Sequence, residues 1–432
     1  MTDLRIAAEQ LEKSLRENGA DKYYLVVSDT EMREFNAENG EFTLLRTVES
    51  GSASAKVFKD GRAGAAAGSD ISEEGLARLA ADCAAAAASA DPDPAWDLAP
   101  AEAPETFNQG VWEPEMDQFF SRVTELLKDI KEQYPQVLVM LAIASHRRVH
   151  SLYRNTNGTE FEGFSGVYNF MIEFSATEGE RSTSINFDEL TLTDLSKPFI
   201  EQGFVRKRLE NSILSLSAKP LSGKFEGTVV FTPDCLEDFI GMLITNFASD
   251  SVLIDGTSLW KDSVGSKVAA DCVSIAFRTE DPRNVITNRY TAEGFRCEDL
   301  SFIENGVLKT HLLSLYAANK TGRSPVKTSS TGMVVAPGEK SLDEIISGID
   351  KGLIIGYFSG GEPGTNGEFS GVAKNSFLIE NGKIAGAVTE TMINGKLGDV
   401  FANAFAASKE VRCSGTSVLP YLAATGVVIS GK

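Results

Sequence analysis

The stretch from Gly227 to Val268 constrains the fold most, because it joins one strand to one helix that must be buried. Thr228 to Phe231 is a short apolar run of β-forming residues. After a break at Thr232-Pro233-Asp234, apolar residues recur at helical spacing, at Leu236, Phe239, Ile240, Leu243, Ile244 and Phe247. Asp234, with Glu237 three residues later, is typical of a capping box. The stretch therefore predicts an amphipathic helix that begins at Asp234 and ends near Ser249.

Turn signals divide the rest of the chain into short elements. Asp-Gly and Asn-Gly pairs, which are typical of two-residue hairpin turns, occur at Asp60-Gly61, Asn157-Gly158, Asn305-Gly306 and Asn381-Gly382. Amphipathic spacing predicts helices over 4–18, 72–89 and 116–134, and alternation predicts strands over 23–28, 41–46, 52–59, 137–145 and 149–155. We expect an α+β fold class. It would have N-terminal and middle α/β-type subdomains with mixed or antiparallel sheets, and a β-rich C-terminal domain.

Two segments have the composition of linkers. Asp91 to Glu105 is acidic and rich in proline, and Pro220 to Glu226 separates a helical segment from the apolar strand. They predict three units: an N-terminal domain at 1–105, a middle domain at 106–222, and a C-terminal domain at 223–432 that carries the helix described above.

Charge and cysteine usage limit the partners. The 432 residues carry a formal net charge of −20, from 61 acidic and 41 basic residues, and no basic patch interrupts this excess. Such a chain repels a phosphate backbone, so direct binding of nucleic acid is not expected. The five cysteines are far apart and form no CxxC pair, which favours free thiols in a reducing compartment. No signal-like segment or apolar membrane span is evident, so we expect a cytoplasmic protein.

The strand, the helix and the Gly256-Thr257-Ser258 turn after it resemble the TldD/PmbA family, also called the modulator of DNA gyrase family. In that family the helix carries His-Glu-x-x-x-His, the two histidines bind one zinc ion, and the glutamate acts as base. The runs Phe302 to Leu308 and Leu378 to Ile384 and the C-terminal segment are similar to the family as well. The resemblance thus covers almost the whole chain.

The zinc-binding residues of the family are missing at the matching positions. Aligned through the glycine-threonine-serine turn, the first histidine falls on Gly241, the glutamate on Met242 and the second histidine on Asn246. Glycine has no side chain, and methionine and asparagine are poor zinc ligands. The resemblance therefore implies the PmbA/TldE-like branch, in which the chain is the non-catalytic partner of a TldD-type subunit. Neither catalytic residues nor a bound metal are expected in this chain.

Other residues could still contribute to a site. Family members complete the zinc site with a cysteine in a C-terminal Cys-Gly segment, and Cys413 matches it, although the following residues differ. We expect Cys413 to be a packed residue instead of a ligand. His146 and His150 are four residues apart, but the stretch around them is predicted as strand and turn, so they would not share a helical face, and a surface pair is favoured over a metal site. His311, with Gly256, Thr257 and Ser258, is a candidate for lining a groove, and for His311 a hydrogen-bonded structural role is favoured over that of a base.

The sequence leaves three hypotheses open. The first is a non-catalytic subunit of a TldD/TldE-type metallopeptidase that acts on short or unfolded peptides and holds zinc only in its TldD-type partner. The second is a self-sufficient homodimeric peptidase with a non-standard metal site that uses Cys413 and His311. The third is a modulator that binds DNA gyrase as a protein, as the older family name suggests. The partner is a TldD-type subunit or a second copy of the chain.

Overall fold

A computed structural model describes residues 3–389 and 391–431 of the protein. Its helices are α1 (Leu4–Glu17), α2 (Glu73–Ser89), α3 (Met116–Gln133), α4 (Val205–Ser215), α5 (Pro233–Phe247), α6 (Asp250–Ile254), α7 (Leu315–Thr321), α8 (Leu342–Ser347) and α9 (Leu397–Ala402). None of the helices in these ranges is long and apolar enough to cross a membrane.

The strands of the first half are β1 (Lys22–Glu38), β2 (Glu41–Lys59), β3 (Arg62–Gly68), β4 (Glu105–Gly110), β5 (Val137–Asn155), β6 (Glu160–Glu178), β7 (Arg181–Ser182) and β8 (Asn186–Leu192). They form one sheet in the order β3-β2-β1-β5-β6-β4, in which β7 and β8 also pair with β6. Helices α1 and α2 cover one part of this sheet, and α3 and α4 cover another with a separate apolar core.

The strands of the second half are β9 (Lys219–Pro220), β10 (Lys224–Phe231), β11 (Ile275–Phe277), β12 (Leu300–Glu304), β13 (Val307–Leu308), β14 (Met333–Val335), β15 (Lys351–Ile355), β16 (Tyr357–Gly360), β17 (Glu368–Lys374), β18 (Ser376–Glu380), β19 (Lys383–Thr389), β20 (Thr391–Lys396), β21 (Ala404–Cys413) and β22 (Ser417–Ser430). They form one branched sheet with the main path β13-β12-β11-β14-β22-β10-β15-β18-β19-β9. Strand β22 is its centre, because it pairs with β10, β14, β20 and β21.

The predicted α+β class is confirmed, with 42% of residues in strands and 24% in helices and with antiparallel and mixed pairing. The hairpin turns at Asp60-Gly61, Asn305-Gly306 and Asn381-Gly382 have positive φ at both residues, as type I′ geometry requires. At Asn157-Gly158 only the glycine has positive φ, so the expected two-residue turn is wrong there. The strand predictions were too short. Strand β2 replaces two expected strands, and β5 replaces another two.

The first sheet crosses the predicted boundary between the N-terminal and middle domains. Strand β1 pairs with β5 from Tyr24 to Glu38, and β4, which begins at Glu105, pairs with β6. Residues on both sides of position 105 thus share backbone hydrogen bonds. The division at 105 and 222 stays a prediction.

The proline-rich segment between α2 and β4, expected as a linker, packs across the two halves of the molecule. Asp93 accepts a hydrogen bond from the Tyr316 hydroxyl at 2.9 Å, and the Ala95 carbonyl accepts one from Asn319 at 2.9 Å. The Trp96 ring stacks on Tyr316 with centroids 3.8 Å apart, and the Lys56 ammonium lies 3.7 Å from the Trp96 ring centroid. This segment ties α7 to the N-terminal sheet.

Candidate functional site

The N-cap of helix α5 lies two residues earlier than the sequence predicts. The N-cap is Thr232, whose hydroxyl accepts from the Cys235 amide at 3.4 Å. The predicted capping box of Asp234 and Glu237 is wrong, because Pro233 fits the first helical position, where no N–H is needed, and moves the cap to Thr232. Asp234 therefore lies in the first turn, where its carboxylate is free to bind side chains.

A buried ion network holds that first turn. Asp234 pairs with Arg412 at 3.0 Å and with Arg208 at 2.6 Å. Arg412 and Arg208 also approach Asp188, at 2.8 and 3.5 Å. Asp188, Arg208 and Arg412 are each at least nine-tenths buried. The network joins β8 and α4 of the first half to α5 and β21 of the second, so it fixes where helix α5 starts.

The three positions that match the family's zinc motif have different surroundings. Gly241 is exposed on α5, and no atom lies within 4 Å of the place where its Cβ would be. Met242 is half-buried and packs against the main apolar core of the second half. Asn246 is half-buried, and its amide donates to the Met242 carbonyl of the same helix at 3.0 Å. Of the three, only Gly241 lines the neighbouring groove.

The C-terminal segment reaches α5 through Ser417 rather than through Cys413. The Ser417 hydroxyl donates to the Glu237 carboxylate at 3.0 Å, one helical turn before Gly241. Cys413 is exposed at the end of β21, so the expectation of a packed residue is wrong. Its charged neighbours are Arg283, Asp281 and Arg412. Partial burial raises the pKa of the Cys413 thiol.

The Gly256-Thr257-Ser258 turn and His311 anchor the other end of α5. The buried Ser258 hydroxyl donates to the Phe247 carbonyl at 2.6 Å and accepts from the Trp260 amide at 3.0 Å. A ring nitrogen of the buried His311 lies 2.9 Å from the Trp260 carbonyl, and burial lowers the pKa of His311. Gly256 and Thr257 are exposed. This group lies behind the helix end and not among the side chains that line the groove.

The groove beside α5 has a volume of about 720 Å³. One wall is the exposed face of the helix, at Glu237, Gly241 and Thr245. The opposite wall includes Leu312, Leu313, Val326 and Met333 with hydroxyls at Ser314, Thr328, Ser329 and Ser330. Its charged lining residues in the described chain are all carboxylates, Glu237, Asp250 and Glu293. The groove therefore combines apolar contact area with hydrogen-bonding groups and negative charge.

From the sequence, Glu237 is assigned only to a capping box, and its place in the groove wall is missed. The side chain is half-buried, and burial raises the pKa of Glu237 against the opposing effects of Ser417 and Arg412. The signal in the sequence was its spacing, since Glu237 lies four residues before Gly241 and so shares a helical face with it. His146 and His150 both lie on the continuous strand β5, but His146 is buried, so the expected surface pair is wrong. A ring nitrogen of His146 is 2.7 Å from the Val111 carbonyl, and one of His150 is 2.8 Å from the Glu162 carboxylate.

The donor set does not fit a zinc ion. A catalytic zinc needs three protein ligands with nitrogen, sulfur or oxygen donors around one point. In residues 3–389 and 391–431 no three His, Cys, Asp or Glu side chains are grouped closely enough to hold a metal. At the motif itself, a glycine, a packed methionine and an asparagine bonded to its own helix supply no such set.

Two family models match the chain, and together they cover more than half of it. The model of the PmbA/TldA metallopeptidase C-terminal domain matches residues 222–431. The model of PmbA/TldA metallopeptidase domain 1 matches residues 23–88. The first match includes α5, the groove wall at Leu312 and the segment at Ser417.

Curated relatives carry metalloprotease names. The metalloprotease PmbA of Escherichia coli O157:H7 is 23% identical over 406 residues, which are 88% of this chain and 85% of that protein. A metalloprotease of Methanothermobacter thermautotrophicus is 30% identical over 215 residues, 46% of each chain. The chain spans about half the length of this and of another archaeal metalloprotease, from Methanocaldococcus jannaschii.

Solved structures with the same fold align over the full length. TldE from Thermococcus kodakarensis superimposes with a TM-score of 0.83 at 21% identity, covering 98% of this chain and all of the other. A Bacteroides thetaiotaomicron protein described as a candidate modulator of DNA gyrase gives a TM-score of 0.82 at 21% identity, over all of both chains. At this identity the likeness establishes the fold alone.

Proposed function

The chain belongs to the PmbA/TldD family, and we propose that it is a subunit that does not hold the metal, in a two-chain peptidase acting on short or unfolded peptides. In this proposal a TldD-type chain supplies zinc and the catalytic base. The present chain supplies a peptide-binding groove beside its helix α5.

The proposal rests on a contrast at Gly241 between an intact groove and a missing ligand side chain. The strand, the helix and the turn after it are in place, and the groove beside them is open. Yet the position of the first zinc ligand bears no side chain, and that of the base, Met242, contributes to the core. A fold that keeps the groove without the ligands favours binding of the peptide over its cleavage.

The groove has the size and the chemistry for a peptide segment. Its volume of about 720 Å³ lies in the range of ordinary ligand pockets, which is about 300–1,000 Å³. The Asp250 carboxylate already accepts from the amide and the hydroxyl of Ser314, at 2.9 and 2.6 Å, which keeps that wall in place. Leucine and methionine side chains offer apolar contact, and hydroxyls offer bonds to a peptide backbone.

The metal content of the purified protein tests the proposal that this chain does not hold zinc. Elemental analysis should find no stoichiometric zinc in the chain alone. Addition of a TldD-type chain should give a complex whose peptidase activity requires both subunits. About one zinc per chain that is lost on Cys413→Ala would contradict the proposal and support the self-sufficient peptidase.

Peptide binding tests the proposed role of the groove. A fluorescein-labelled unstructured peptide should bind the isolated chain, and Gly241→Trp should weaken this binding at least tenfold by filling the groove. Gly398→Trp is the matched control, because Gly398 also lies in a helix with no atom within 4 Å of its Cβ position and is not among the groove-lining residues. Equal binding by the parent and by Gly241→Trp would exclude this groove as the peptide site.

A further inference from the structure

A second cleft lies between the first sheet and the segment from Ile286 to Tyr290 of the second half. Its volume is about 320 Å³, at the lower end of the range of ordinary ligand pockets, which is about 300–1,000 Å³. The segment forms one wall, and strands β4, β5 and β6 form the other, at Phe107, Gln109, Ser151, Gly163, Phe164 and Ser165. In the described chain this cleft shares no lining residue with the groove beside α5.

Hydrogen bonds fix the distance between the two walls. The Gln109 side-chain amide donates to the Thr287 carbonyl at 2.9 Å, and its oxygen accepts from the Thr287 backbone amide at 3.0 Å. Just beyond the segment, the Tyr153 hydroxyl of the first sheet donates to the Ala292 carbonyl at 3.2 Å. The cleft is therefore formed before any ligand enters, which lowers the entropic cost of binding.

Aromatic rings line the cleft on both walls. The Tyr290 ring packs against Phe107 and Phe161 of the first sheet, with centroids 6.4 and 5.2 Å apart. The Phe164 ring stacks on that of His150, with centroids 4.3 Å apart, so its position is fixed as well. Rings held in this way offer flat apolar surface, which favours a planar aromatic ligand over a flexible chain.

The cleft has one charged lining residue in the described chain, and it is a cation. This residue is Arg289, in a chain whose net charge is −20. Its Nη1 donates to the Thr279 carbonyl at 2.8 Å and to the Glu280 carboxylate at 3.2 Å. The Glu280 side chain is 67% exposed and does not line the cleft, so solvent weakens this ion pair. The charge inside the cleft therefore favours an anion.

One edge of the Arg289 guanidinium has no partner. Among the described residues, neither its Nε, which is buried, nor its Nη2 finds a hydrogen-bond acceptor. The same two atoms of Arg296 bind the Glu105 carboxylate at 2.7 and 3.1 Å. Those of Arg283 bind the Asp281 carboxylate at 2.9 and 2.7 Å. An unpaired buried donor is costly, so the free edge of Arg289 is placed to take a carboxylate as these two arginines do.

We propose that the second cleft binds a small aromatic carboxylate. The carboxylate accepts two hydrogen bonds from Nε and Nη2 of Arg289, and the ring contacts Phe164 and Tyr290. Charge-assisted, bidentate bonds of this kind are stronger than neutral ones, and here they also satisfy the buried donor. The proposal rests on the lining of this cleft and does not depend on the function of the groove beside α5.

Isothermal titration calorimetry with 2-naphthoate tests the class of ligand. The parent protein should bind one equivalent with a dissociation constant below about 1 mM. The neutral 2-naphthamide, which has the same rings, should bind at least about tenfold more weakly, because it cannot form the charge-assisted pair. A dissociation constant above 1 mM for 2-naphthoate, or equal affinities for the acid and the amide, would overturn the proposal.

Variants test where the ligand binds. Arg289→Gln should weaken 2-naphthoate binding at least about tenfold. Arg283→Gln is the matched control and should not change it, because Arg283 lies outside the cleft. Ser165→Phe fills the cleft while Arg289 is retained, and should weaken binding to a similar extent even if Arg289→Gln does not fold. Gly241→Trp, which fills the groove, should leave binding unchanged. Unchanged binding in either folded cleft variant, or loss of binding in Gly241→Trp, would overturn the proposal.

Discussion

The first turn of helix α5 and the middle of the same helix are built in opposite ways. At the first turn, Asp234 is held by Arg208 and Arg412 in a buried network that joins both halves of the molecule. One helical turn beyond Glu237, Gly241 faces open space. The helix is thus positioned with many contacts, whereas its face at Gly241 is bare. The positioning of a site and its chemistry are separable properties of one helix.

This difference predicts where substitutions will matter. At the first turn, removal of one charge leaves the other buried charges with fewer partners. At the groove face, a Cβ added at Gly241 contacts no neighbouring atom. The same helix should therefore tolerate change at one position and fail at another only two turns away.

The largest effect is expected at Asp234. Asp234→Ala leaves two arginines with Asp188 as their only remaining ion-pair partner among the described residues and should lower the free energy of unfolding by about 3–5 kcal/mol. Chemical denaturation, monitored by circular dichroism, measures this change in the free energy of unfolding. Asp238→Ala is the control, because Asp238 is exposed on the same helix and forms no ion pair within 4 Å in the described chain. Equal losses for both variants would mean that the network does not position the helix.

A smaller loss is expected at the C-terminal anchor of α5. Ser258→Ala removes the hydroxyl that bonds both the Phe247 carbonyl and the Trp260 amide, and it leaves two buried groups unsatisfied. The cost should be about 1–3 kcal/mol. The adjacent Thr257→Ala, at an exposed residue, should change stability little. If the two substitutions have equal effects, the anchor is not what ends the helix.

Gly241→Ala should stabilise the protein by about 0.5–1 kcal/mol, because alanine is the better helix former and its Cβ meets no atom. Gly75→Ala, in helix α2, is the contrasting variant. Its Cβ would lie 2.3 Å from the Asp70 carbonyl oxygen, so it should be destabilising. Thermal denaturation of both variants measures whether each substitution raises or lowers stability. Destabilisation by Gly241→Ala would mean that this helical face is packed.

The smallest expected effect is a pH dependence at His311. Burial lowers its pKa in the folded protein, so between that value and about 6.5 the unfolded chain binds more protons. Stability from His311 is therefore present above pH 6.5 and is lost as the pH falls through this window. His311→Gln should reduce the decline of the denaturation midpoint between pH 7.5 and 5.5. An unchanged slope would show that His311 is not responsible.

The features that the sequence predicts well are local. An Asn-Gly or Asp-Gly pair selects a type I′ turn by its own backbone preference, so the turns at Asp60, Asn305 and Asn381 are confirmed. Asn39-Gly40, which joins β1 to β2 with the same geometry, follows the same rule and was overlooked. Its neglect left β1 and β2 too short in the prediction.

The features that the sequence could not give depend on residues far apart in the chain. Asp188 meets Arg412, and Glu237 meets Ser417, only because the sheets bring them together. The cap at Thr232 is a different case, because Pro233 at the first helical position is a local signal for it that the prediction of Asp234 overlooked. The groove is likewise formed by segments from Glu237 to Met333 that no local pattern connects.

The central place of β22 has a consequence for how the protein folds during synthesis. This strand, Ser417–Ser430, pairs with β10 and with three other strands, so the second sheet lacks its middle until residue 430 has emerged from the ribosome. Until then β10 has an uncovered edge, and α5 lies on an incomplete core. The first sheet needs only residues up to Leu192. The two halves should therefore become resistant to protease at different times on the ribosome, the first during elongation and the second only near its end.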